Sequence, residues 1–197
     1  MKRFAIVASI VLLITTSACG GESGKPSETA SKAEPTSSPT PEGGPGEYDF
    51  TWYGVKGTVT IPENNGELSR HKIVKEVESF RKAVKKPKVY YVKVDYDATA
   101  AVDSGNVRPQ DSVLGVITKD GETFNATTIV KLVLDWYDSG SPYFDRGSAL
   151  LNKVADQHIR PKAKGSHILA FEEPIPDDIV TVFIAPNGAE EVEATKR

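Results

Sequence analysis

Between residues 20 and 46 the chain carries six Gly, five Pro, five Ser and three Thr, with no aromatic and no large aliphatic side chain. A segment of that composition cannot bury enough apolar surface to offset the entropy of ordering it, so it reads as a disordered tether. As a flexible coil its root-mean-square reach is about 30 Å. Aromatic residues resume at Tyr48, Phe50, Trp52 and Tyr53. The folding part is therefore confined to residues 47–197, a single domain of ordinary size. The only cysteine is Cys19, outside that domain. The domain must hold itself together by packing, without a disulfide or a thiolate metal cluster.

The N-terminus supplies an address. Lys2 and Arg3 precede an apolar run from Phe4 to Ile14. That run is too short to cross a bilayer, which takes about 20 residues, and with its basic flank it reads as a signal peptide over residues 1–18. Thr16-Ser17-Ala18-Cys19 resembles the lipobox of bacterial lipoproteins, with Thr16 where Leu is usual. The resemblance implies a diacylglyceryl group on Cys19, the new N-terminus after cleavage; the alternative is an ordinary secretory cut that leaves the thiol free. Two acyl chains anchor a protein stably where one is marginal. The expected organisation is a signal peptide, a lipidated Cys19 with a tether to residue 46, and a domain over 47–197 at the extracytoplasmic face of the membrane. Without the signal the chain holds 22 basic and 27 acidic residues. That mild acid excess argues against nucleic acid as a partner.

Within the domain, Val55, Gly57, Val59 and Ile61 alternate with polar residues and predict a strand. Ile73, Val77, Phe80 and Val84 recur at helical spacing and predict an amphipathic helix over about 69–85, with Ser69 at its start and Pro87 beyond its end. Tyr90, Val92, Val94 and Tyr96 mark one face of a strand. Asp120-Gly121 between Val113–Thr118 and Glu122-Thr123-Phe124 is a hairpin signal. The β-branched content of 128–137 suits a strand, but Ile129, Leu132, Val133, Trp136 and Tyr137 fit a helical face, which we favour. A second short helix is expected over about 146–157, then strands over His167–Phe171 and Ile179–Ile184. Short strands with turn signals and no βαβ rhythm predict a mainly β domain built as a sandwich.

A family resemblance sharpens this. The strand Tyr90–Tyr96, the turn Lys119-Asp120-Gly121, the Trp136 segment and Pro161-Lys162-Ala163-Lys164-Gly165 leading into Phe171 and Pro174-Ile175-Pro176 occur in that order. The order resembles the immunoglobulin-like domain of unknown function found in Gram-positive envelope lipoproteins, over roughly residues 88–185. It implies an immunoglobulin-like β-sandwich at an extracytoplasmic post and transfers no catalytic residue.

Chemistry-bearing patterns are sparse. There is no Gly-x-Ser-x-Gly, no His-Glu-x-x-His and no Gly-rich phosphate loop, and no cofactor is expected. His71, His158 and His167 stand apart in sequence. Asp95, Asp97 and Asp103 offer oxygen ligands that a Ca²⁺ ion accepts, although turn formation explains the same residues. Residues 70–88 hold eight basic and two acidic residues. Lys72, Lys75, Ser79, Lys82 and Lys86 share one helical face, a candidate contact for anionic lipid or wall polymer. Trp136, Tyr137, Tyr143 and Phe144 form a second candidate patch, for a protein partner. The expected function is a non-catalytic, lipid-anchored binding module of the cell envelope. The alternatives are a wall-active enzyme, with His167 or Asp95 and Asp97 lining a polar pocket, and a small solute-binding lipoprotein.

Overall fold

The computed structural model describes residues 43–64, 66–101, 107–155 and 158–197. The signal segment, Cys19, most of the predicted tether and Asp103 lie outside them. Eight strands are present among the described residues: β1 Gly46–Trp52, β2 Val55–Ile61, β3 Tyr90–Asp97, β4 Val113–Thr118, β5 Thr123–Thr128, β6 Lys164–Phe171, β7 Ile179–Ala185 and β8 Val192–Lys196. Three α-helices accompany them: α1 Lys72–Ala83, α2 Ile129–Leu134 and α3 Phe144–Val154.

The strands close into an antiparallel barrel in the order β1-β2-β3-β6-β5-β4-β7-β8. This overturns the expected immunoglobulin-like sandwich, although the domain is mainly β. Alternating burial, which the sequence shows, fits either architecture; the difference lies at the corners. β8 pairs with β1 through Tyr48↔Lys196 and Asp49↔Thr195, and β5 pairs with β6 through Thr127↔Ala170 and Thr128↔Leu169. These four pairs turn two open sheets into one closed surface and leave no free sheet edge.

Inside the barrel, alternate residues of each strand converge. Tyr48, Phe50 and Trp52 of β1 meet Val92, Val94 and Tyr96 of β3 and Leu169 and Phe171 of β6 in one core. The end of the predicted tether is tied to this barrel. The Gly44 amide donates to the Ile179 carbonyl at 2.8 Å, the Tyr48 hydroxyl donates to the Gly44 carbonyl, and β1 begins at Gly46.

A second core lies outside the barrel. Val74, Val77 and Phe80 of α1, Ile129, Leu132 and Val133 of α2, Trp136, and Leu150 and Val154 of α3 cover Tyr91, Ile168 and Ala170. Those last three residues lie on the outer face of β3 and β6, so that strand pair is buried on both faces where the helices cover it, whereas its other end, at Asp95, Asp97, Lys164 and Ser166, is not. The unbroken buried run His167–Phe171 is the signature of the covered part.

The helices depart slightly from expectation. Ser69 does not cap α1 but sits in a 3-10 turn, Glu67–Arg70, and His71 occupies the N-cap position. α1 stops at Ala83 because Lys85 takes φ 57° and the Lys86 amide donates back to the Arg81 carbonyl at 3.1 Å. That is a helix-ending motif in which the left-handed residue is usually Gly. α2 starts on the Thr128 side chain, which accepts from the Lys131 amide at 3.2 Å.

Gly57 fixes one wall of the barrel. It faces Phe50 across β1 and β2, and a β-carbon there would lie 2.0 Å from the Phe50 ring. That ring is buried and meets Tyr96 edge-on at 5.7 Å, so it has nowhere to swing. Gly57→Ala is expected to cost about 1–3 kcal/mol of stability by overpacking. Urea denaturation reads this as a lower midpoint at unchanged m-value; an unchanged midpoint would contradict the packing.

Candidate functional site

The basic helix face predicted from sequence is present but is only half of a larger feature. Burying Val74, Val77 and Phe80 against the barrel leaves Lys72, Lys75, Ser79 and Lys82 exposed. Lys86 does not belong with them: it is half-buried, and its ammonium reaches toward the Asp135 carbonyl at 3.4 Å. Across from α1 lies α3. The Arg146 guanidinium donates to the Ser79 hydroxyl at 2.7 Å and lies 6.0 Å from the centre of the Phe80 ring. Lys153 pairs with Glu76 at 2.7 Å.

Between the helices runs a groove of about 310 Å³, lined by Lys75, Glu76, Ser79, Phe80, Arg146, Ala149, Leu150 and Lys153. Its floor is apolar and its rims are cationic. Glu76 is the one carboxylate in that lining. Glu78, the other acid of α1, takes Arg81 at 2.8 Å and the Tyr91 hydroxyl at 2.9 Å. Burial raises the Glu78 pKa, but those two hydrogen bonds and the nearby charges of Arg81 and Lys82 outweigh it and hold the carboxyl below its ordinary value. Among the described residues neither Lys72 nor Lys75 has an ion-pair partner. Arg146 and Lys153 escaped the sequence reading because they lie 67 and 77 residues from Ser79 and Glu76.

The predicted aromatic patch divides. Trp136 is buried among α1 and α2 residues, and Tyr137 is wedged edge-on between Phe80 and Phe144. Both are structural. Tyr143 and Phe144 are exposed, and the exposed Leu134 ends α2 nearby in sequence.

Asp95 and Asp97 lie on the outer face of β3 and line a broad polar concavity of about 750 Å³ that crosses β1, β2, β3 and β6. Its charges are largely neutralised internally. Lys93 takes Asp95 at 2.8 Å and Lys164 takes Asp97 at 2.6 Å. Arg197 bridges Asp49 and Glu47, each at 2.7 Å. The Asp97 carboxyl lies well below the usual range because of hydrogen bonds from Lys164 and Thr99. Among the described residues no three His, Cys, Asp or Glu side chains converge as metal ligands.

The histidines do not form a catalytic group with Ser166. Successive strand residues point to opposite faces, and Ser166 is exposed while His167 is buried. The His167 ring stacks on Tyr96 with centroids 5.4 Å apart. His158 is exposed elsewhere. His71 and His167 do line a common cavity of about 30 Å³ with Gln110 beneath the helical layer, room enough for a water molecule.

No protein-family model matches the chain, and no curated protein matches it. A solved secreted protein from Mycobacterium tuberculosis, MPT63, is similar at a TM-score of 0.35 and 13% identity, over 77% of this chain and 92% of that one. Among the described residues no helix is long and apolar enough to cross a membrane.

Burial drives the His167 imidazole from its ordinary value near 6.5 down to about 3. His71 is lowered too, by burial and by Lys93, against an opposing pull from Asp95. On lowering the pH through 6.5 the unfolded chain takes up these protons and the folded chain does not, so stability falls. For His167 the slope approaches about 1.4 kcal/mol per pH unit. Between pH 6.5 and 5, above the range where the carboxylates of the unfolded chain take up protons, His167→Leu should flatten the dependence of unfolding free energy on pH. Equal slopes for both proteins would show that His167 is charged or solvated in the folded state.

Proposed function

We propose that this protein is a lipid-anchored, extracytoplasmic, non-catalytic module of the cell envelope that binds an anionic envelope component through the α1–α3 face. The observation that carries the reading is the approach of Lys75 on α1 and Arg146 on α3 to one groove, with Lys72 beside it and neither lysine ion-paired among the described residues, whereas Lys153 on the far rim is paired with Glu76. In a domain whose net charge is negative, such a local excess of positive charge is a directed field rather than a consequence of composition. The polar concavity on β1, β2, β3 and β6 is a weaker candidate because its carboxylates already hold cations. The sequence around Cys19 supports the anchor, and the tether gives the domain reach above the membrane.

Anchor and binding face separate experimentally. In a bacterial host that processes lipoproteins, Cys19→Ala should move the protein from the membrane to the soluble fraction, and mass spectrometry of the parent should find Cys19 acylated. A membrane-bound Cys19→Ala protein removes the lipid anchor from the reading. Independently, Lys72→Glu, Lys75→Glu and Arg146→Glu together should cut binding to isolated envelopes at least tenfold at low salt, with binding of the parent falling as salt rises. Undiminished binding of the triple variant removes the α1–α3 face.

A further inference from the structure

We propose that the cavity between β6 and the helical layer is a binding site for internal water, shared by His71, Gln110 and His167, which fastens the start of α1 to the barrel. The site is separate from the α1–α3 groove, and its failure would leave the anion-binding face standing.

The cavity forms where the barrel wall changes character. β5 pairs with β6 only through Thr127 and Thr128, opposite Ala170 and Leu169, and the chain then turns into α2 at Ile129. His167 lies beyond that short ladder. Side chains rather than a strand enclose the space beside it. Ile129 and Val154 come from the helices, His71 from the N-cap of α1, and Gln110 from the 3-10 turn Pro109–Asp111.

Polar atoms without partners gather at this one place. Among the described residues six buried side-chain nitrogens and oxygens have no hydrogen-bond partner, and His71, Gln110 and His167 carry four of them. These are His71 Nδ1, Gln110 Oε1 and both ring nitrogens of His167. Folded proteins rarely leave such atoms unpaired. His167 is 5% exposed, so bulk solvent does not serve its ring. His71 makes no capping hydrogen bond through its side chain, although it sits at the N-cap.

Donors and acceptors select the ligand. Gln110 Oε1 can only accept, and a neutral imidazole offers one donor and one acceptor. Water has two of each. It can donate to Gln110 Oε1 and to one imidazole while accepting from the N–H of the other. A simple anion has no proton for Gln110 Oε1. A metal ion would find two imidazoles and an amide, with no anionic ligand to balance its charge. The volume of about 30 Å³ admits water and is too small for an organic ligand. Enclosed water supplies a hydrogen bond without the dielectric of bulk solvent, so burial still keeps His167 neutral. The three residues belong to segments distant in the chain, and Lys72 directly follows His71. Water held among them therefore fixes where the lysine face of α1 begins.

The test compares the full-length chain carrying Cys19→Ala, with its histidines ¹⁵N-labelled, and the same chain carrying Gln110→Leu as well. Gln110 is half-buried, and leucine keeps its length while removing the acceptor. Magnetic relaxation dispersion of water ¹⁷O counts long-lived waters. Gln110→Leu is expected to lose at least one of them, and the imidazole ¹⁵N resonances of both His71 and His167 are expected to move. An equal count of long-lived water in the two proteins overturns the site. Loss of water with only one imidazole affected overturns the sharing between the histidines. A second measurement needs only the Cys19→Ala chain: magnetisation transfer from water to the ring protons of His167 is expected, and its absence shows a dry cavity and overturns the proposal.

Discussion

The pairing of β3 with β6 is the join on which the rest of the molecule depends. Eight consecutive residue pairs, from Tyr90↔Phe171 to Asp97↔Lys164, hold these strands together. Their inner residues complete the barrel core and their outer residues seat the helices. Weakening that ladder would loosen both cores at once. His167 lies on the inner side of that ladder, stacked on Tyr96, and burial keeps its imidazole neutral, with both ring nitrogens lacking a hydrogen-bond partner among the described residues.

The same join sets what the helices can present. With Tyr91, Ile168 and Ala170 as an apolar seat, α1 must turn Val74, Val77 and Phe80 downward. Helical periodicity then forces Lys72, Lys75, Ser79 and Lys82 upward. The Tyr91 hydroxyl rises from the seat to Glu78. That contact and Arg81 draw one of the two α1 carboxylates away from the lysine face. The positive groove thus depends partly on where the negative charge has been placed.

What could be read from the sequence followed the range of the interaction. The strands at Val55–Ile61, Tyr90–Tyr96 and Val113–Thr118, the Asp120-Gly121 hairpin and the three helices all carry local patterns, and the structure has elements at each. The closure does not. β8 has five residues with Ala194 its one buried position, so it lacks an apolar alternation to announce it. β1 does alternate Tyr48, Phe50 and Trp52, but nothing local says that its partner at one corner is the far end of the chain. A sandwich and a barrel share the same alternation, and the two pairs at each corner that separate them join residues distant in sequence. Half the candidate site was legible for the same reason: the lysine stripe is a property of one helix, whereas the groove needs two.

The spacing of that second helix is itself decided by a residue with no side chain. Gly147 lies in the first turns of α3, buried, where a β-carbon would sit 2.4 Å from the Tyr137 ring. Tyr137 is in turn fixed edge-on against Phe80 and Phe144. The missing β-carbon lets α3 settle against the aromatic cluster at the end of α2, and the residue before it is Arg146. The closeness of packing at 147 therefore sets how near the guanidinium comes to Ser79, and through it the width of the groove. A core constraint and a surface charge are adjacent in the chain, so the site inherits its geometry from the packing beneath it.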